Sequence, residues 1–269
     1  SALNYGSIAA IAAAGRALKD FRPELSAKSI ALAKRIWDEE HSHAPDLYSH
    51  GNTTGGPIDA EEFNAGVELL IATGDKKYAD RVAALLPAMI KRFPFGITTA
   101  IRAIPHMPAS YKAAIRAAII EWQKRPPQGR ANPYGVPITE GGWAGNGLIV
   151  ALGITDYAIH RAFPDLSNGD GVFRSLDYLH GTHPGSDISF VSGVGTVSKE
   201  VAYGSNRADF SYIAGGVVPG VLIIKPDLPE NSEQWPFFWG ENEYVVNLGP
   251  SYIALVHAAN DVASERSGK

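Results

Sequence analysis

Two carboxylates, Glu241 and Glu243, flank Asn242 in the stretch WPFFWGENEYVVNLGPSYIALVHAAND, residues 235–261. Trp235, Phe237, Phe238, Trp239 and Tyr244 wall them, and a helical pattern follows directly. A carboxyl group in such a setting feels two opposed forces. Amides at a helix start favour its ionised form, whereas an apolar wall favours the protonated one. If the wall wins, the group can deliver a proton near neutral pH; if the helix wins, it serves as a base or a ligand. The plain alternative is that one of the glutamates caps the helix and the aromatics are core, because helix starts are rich in acids.

Other residue types narrow the chemistry further. The chain has no cysteine, which excludes disulfides, thiolate metal sites and cysteine nucleophiles. His41 and His43 alternate with Ser42 near Asp46, Tyr48 and His50, but with no second convergent cluster they read as solvated or hydrogen-bonded groups, not as a zinc site. SNGDG at 167–171 and SNRAD at 205–209 hold oxygen ligands without the full spacing of a calcium loop, so a structural calcium stays open. The glycines of GVGTV and GGVVPG lack the strand, turn and helix context that places phosphate on backbone amides. Asp59, Glu61 and Glu62 stand at a helix start, where caps and i,i+4 partners are the commoner roles.

The elements that must position these groups are helical. Helices are expected over 3–18, 24–37, 60–73, 76–93, 109–124, 147–163, 172–180 and 247–259, with Gly74 and Asp75 turning one pair into an αα-hairpin. The stretch between 93 and 109 reads as irregular. FVSGVGTVS and GGVVPGVLII read as short strands inside a long Gly-rich and Pro-punctuated excursion. Helix, short turn and helix alternate without exact repeats, which suits a solenoid or a closed α/α toroid, and the long excursions favour the toroid. Loops at one end of such a ring gather over its axis and form a cleft.

With 269 residues, 45% of them hydrophobic, the chain can build one large domain or two ordinary ones. A net charge of -4 provides no basic field for nucleic acid. The opening SALNYGSIAAIAAAGRAL is broken by Asn4, Gly6 and Arg16, so it reads neither as a signal peptide nor as a membrane span. Its start inside a helical pattern leads one to expect further sequence upstream.

ENEYVVNLGPSYIALVHA resembles the closing signature of glycoside hydrolase family 9, and the resemblance extends collinearly over most of the chain. LNYGSIAAIAAAGRAL is similar to that family's Asn-Tyr opening of an alanine-rich helix, and IDAEEFNAGVELLIATGDKKYAD to its acidic helix ending in Ala-Thr-Gly-Asp. GGWAGNGLIVALG resembles its Trp-Gly-Ser-Asn segment. SLDYLHGTHPGSDISFVSGVG resembles its Asp-Tyr-Leu-Leu-Gly, Asn-Pro and Tyr-Val-Thr-Gly-Phe-Gly run, with IAGGVVPGVLIIKPD as the Gly-rich loop that follows.

The resemblance implies an all-α fold, an (α/α)6 toroid or barrel of which residues 1–269 are the C-terminal part, with long irregular loops. It implies an inverting hydrolase of β-1,4-glycosidic bonds in a glucan or related β-glycan, with Glu243 as general acid. It places the catalytic base in an Asp-rich motif ahead of Ser1, supplied by an N-terminal part of the same protein or by another chain that completes the barrel. It also implies a secreted, periplasmic or cell-surface location, no required cofactor and no membrane span. Sugar rings offer apolar C–H faces to aromatics and hydroxyls to polar partners. Trp143, Tyr134, Trp239, Tyr244, Arg207 and His180 are the candidate substrate contacts, although each loop aromatic could equally be a lid over the core. Trp37 and Trp122, on amphipathic helices, read as packing residues. The sequence departs from the family where a histidine- and arginine-rich stretch is expected: TVSKEVAYGSNRADFS keeps only Arg207, and His180 and His183 replace a Leu and an Asn. That departure leaves open a second reading, a carbohydrate-binding protein on the same fold without hydrolytic activity.

Overall fold

Small residues set how closely the first helices approach. In the computed structural model, which describes residues 1–50, 54–125, 132–138, 145–199, 213–220 and 245–268, α1 spans Ala2–Ala17 and α2 spans Pro23–Glu40. A Cβ at Gly15 would lie 2.8 Å from Ile30 Cδ1, and Ser26 Oγ donates to Gly15 O at 2.7 Å, so α2 rests almost on the backbone of α1. Pro23 begins α2, where its missing N–H costs nothing.

The chain divides into two compact units, Ser1–Lys124 and Arg125–Lys269. In the first, α3 (Ile58–Thr73) lies against α1 and is followed by α4 (Lys76–Lys91), the expected αα-hairpin. α5 (Ile97–Ala103), a 3-10 turn (Ile104–His106) and α6 (Ala109–Gln123) complete it. The core of this unit centres on Tyr5, Ile8, Trp37, Leu69 and Tyr78. Two buried carboxylates on α3 tie its neighbours to it. Glu62 receives Arg81 of α4 at 2.5 and 2.7 Å, and Glu68 pairs with Arg16 of α1 and, at 2.6 Å, with Arg102 of α5. Desolvation offsets much of the attraction in such pairs, so their consequence is positional: a rotation of α3 would bury both charges without partners.

The second unit packs α7 (Asn146–Ala162), α8 (Asp170–Leu179) and α9 (Leu248–Arg266) around Val150, Val172, Leu179, Leu255 and Ala258. They converge on Gly153, where an added Cβ would meet Leu255 Cδ1 at 2.6 Å and Ser175 Oγ at 2.8 Å. At the other end of α7, Tyr157 donates to Asp261 Oδ2 at 2.7 Å, and His160 donates to Ser167 O at 2.9 Å and Glu265 Oε2 at 3.0 Å. The Ser167 carbonyl first, and the Glu265 carboxylate with it, raise the His160 pKa above its ordinary value. A group held up in this way stabilises the fold fully below its unfolded pKa of about 6.5 and ceases to as pH rises through the folded value. His180 and His183, held down by burial, act with the opposite sign, since they cost stability as pH falls below about 6.5. Subtracting wild type from His160→Gln isolates the first term. In urea titrations from about pH 5 to about pH 9, the variant is expected to lose most at the acid end and to converge with wild type at the alkaline end. A penalty independent of pH would mean that the imidazolium plays no part in holding α9.

All regular structure among the described residues is helical, as expected for an α/α fold. Three expectations need correction in detail. The stretch after α4 is not irregular, because Ile97, Ala100 and Ile101 are buried at i, i+3, i+4 spacing and form α5. α9 continues beyond Ala259 to Arg266, where Glu265 and Arg266 pair with His160 and Asp170. FVSGVGTVS and the described part of GGVVPGVLII form only isolated bridges, Ser189 with Ser198 and Val191 with Val217, since glycines at 193, 195, 215 and 220 take positive φ and interrupt any ladder.

Candidate active site

Among the described residues of the second unit, backbone and side-chain hydrogen bonds fix the loops to one another. Asn146 opens α7, is buried, receives no cap and itself acts as a clamp. Its N–H donates to Pro219 O and its Nδ2 to Val218 O, both at 2.9 Å. Val218 N then donates to Phe190 O at 3.0 Å, and Phe190 N to Leu179 O at 2.8 Å, so segment 213–220, segment 189–199 and the end of α8 are stitched in sequence. Ser189 and Ser192, both fully buried, satisfy the backbone inside this turn: Ser192 Oγ donates to Lys199 O at 2.7 Å and Ser189 Oγ accepts from Val191 N at 3.1 Å. Lys199 is itself 1% exposed, and its charge adds to the burial that keeps His183 below its ordinary pKa.

Of the candidate substrate contacts, Tyr134 and His180 lie within the described residues. Asn132 holds the turn that carries Tyr134, accepting from Tyr134 N at 3.0 Å and Gly135 N at 3.1 Å, while its Nδ2 donates to Val136 O at 2.8 Å. The half-buried Tyr134 ring meets Tyr178 edge-on, with centroids 6.3 Å apart, over the small core of Val136, Ile149, Phe190 and Val218. Tyr134 therefore packs on this core and keeps part of its surface exposed. His180 ends α8, is exposed, and its Nε2 lies 2.8 Å from the hydroxyl of Tyr252 on α9. Gly181, which follows it, has φ of 116° and comes so close to Asp187 that a Cβ would stand 2.4 Å from the Asp187 carbonyl oxygen. Glu243, Trp143, Arg207, Trp239 and Tyr244 lie outside the described residues, as do Glu241 and Trp235.

His183 turns inward instead of facing a ligand. It stacks on Phe190 at 4.4 Å and donates from Nε2 to Ile188 O at 2.8 Å. The acids at the start of α3 are also engaged: Asp59 with Arg92 at 2.9 Å, Glu61 with the amide of Gly56 at 3.0 Å, and Glu62 with Arg81 and with His41 at 2.8 Å. Asp170 of SNGDG receives Arg266 at 2.6 Å, which with Asn168 holds its carboxyl below the usual range. Among the described residues no group of three His, Asp or Glu could hold a metal. Among the described residues, no helix is long and apolar enough to cross a membrane. Asn146, which clamps these loops, carries no signal of its own in the sequence beyond its place at the end of WAGN.

No protein-family model and no curated protein matches the chain. Solved structures do. A thermostable endoglucanase from Alicyclobacillus acidocaldarius matches with a TM-score of 0.74 at 17% identity, over 95% of this chain and 54% of that one. A metagenome-derived glycoside hydrolase family 9 endoglucanase matches with a TM-score of 0.74 at 20% identity, over 95% and 51%. A cellulase of C. cellulolyticum matches with a TM-score of 0.67 at 17% identity, over 93% and 61%. The all-α class is thus a defined one: the chain has the fold of family 9 glycoside hydrolase catalytic domains. It spans about half the length of the structures it matches.

Proposed function

We propose that the chain is part of a β-glycan hydrolase that cleaves β-1,4-glycosidic bonds with inversion at the anomeric carbon. The observation that carries this reading is the collinear run of family-like segments, closing with Glu243, on a chain whose fold matches family 9 endoglucanases over 95% of its length. Glu243 gives its proton to the glycosidic oxygen as the C–O bond breaks. A water on the opposite face attacks the anomeric carbon and loses a proton to a base roughly 6.5–9.5 Å from the acid. That base comes from the part of the fold that this chain does not span, whether on the same polypeptide or on another. Trp143, Trp239, Tyr244 and Tyr134 offer ring faces to sugars, and Arg207 and His180 offer hydrogen bonds. The reaction needs no cofactor. A polymeric substrate places the protein outside the cytoplasm, secreted, periplasmic or on the cell surface.

A non-catalytic glycan-binding role is the second reading, favoured by the loss of histidines in TVSKEVAYGSNRADFS. Reducing-end release by the full-length protein from a panel of soluble β- and α-glucans separates the two. Shortening of β-1,4-linked chains, with α-glucans untouched, is the expected result. Binding to the panel without any cleavage would transfer support to the second reading.

A further inference from the structure

We draw no further inference here: the strongest candidate, the exposed apolar face of α9 that Pro250, Ile253 and Val256 form, is an unpartnered helix face, and nothing in the structure shows what covers it.

Discussion

Glu243→Gln in the full-length enzyme is expected to lower turnover on a natural β-1,4-glucan by about 10²–10⁴-fold while leaving folding and most ground-state binding intact. The amide keeps the side chain's shape and loses only the proton it would deliver. The loss should shrink on a substrate with an activated phenolate leaving group, because departure of a good leaving group needs little protonation. Glu241→Gln supplies the control, since it shares the stretch and the charge but stands off the position that resembles the family's acid. Near-wild-type turnover of Glu243→Gln on the natural glycan would remove Glu243 from the acid role. A selective collapse of Glu241→Gln would transfer the role to the neighbouring glutamate.

The largest expected effect on stability falls at Trp37. Its ring is 4% exposed, stacks on His41 at 4.3 Å and meets Tyr5 and Tyr78 edge-on at 5.9 and 5.3 Å. Gly66 lies beside it: a Cβ there would touch the indole at 3.4 Å and crowd Val82 Cγ2 at 3.1 Å. Trp37→Ala would open a cavity among rings that cannot collapse inward, because His41 is held by Glu62 and by the Trp37 carbonyl at 2.8 Å. The expected cost is about 3–5 kcal/mol, read as a lower urea midpoint with an unchanged slope. A cost under about 1 kcal/mol would show that the indole is not a keystone of this core. The same cluster pushes the Tyr5 hydroxyl up to about 12, through burial first and then the Glu62 and Glu40 charges.

What the sequence disclosed, and what it withheld, follows from how far apart partners lie along the chain. Local periodicity revealed α3 and α4 with their Gly74–Asp75 turn, because the apolar spacing and the turn residues sit within one window. It missed α5, where Pro94 and Pro105 bracket a helix of 7 residues whose buried positions do have helical spacing. The polar tail of α9 looked like the end of a helix, yet its charges are satisfied by α7 and by the loop before α8, a fact written nowhere near it in sequence. Glu62 and Glu68 illustrate the same limit. Glu62 reads as an ordinary acid of a helix start, and only packing brings Arg81 to it, as it brings Arg16 and Arg102 to Glu68. His180 stands in a motif, but the residue it meets, Tyr252, is 72 residues away, so the motif gives no sign of that contact.

Charge balance, the missing cysteines and the motif order excluded whole classes of chemistry, yet they leave the catalytic step itself to be measured. Hydrolysis with inversion is the claim on which the roles of Glu243 and of its distant base depend. The most direct measurement follows the anomeric protons by 1H NMR while the full-length enzyme cleaves a β-1,4-linked cello-oligosaccharide. The expected result is that the α-anomer of the new reducing end appears first and the β-anomer grows in only by mutarotation. Initial release of the β-anomer would contradict the single-displacement mechanism, and with it the pairing of Glu243 with a water-activating base.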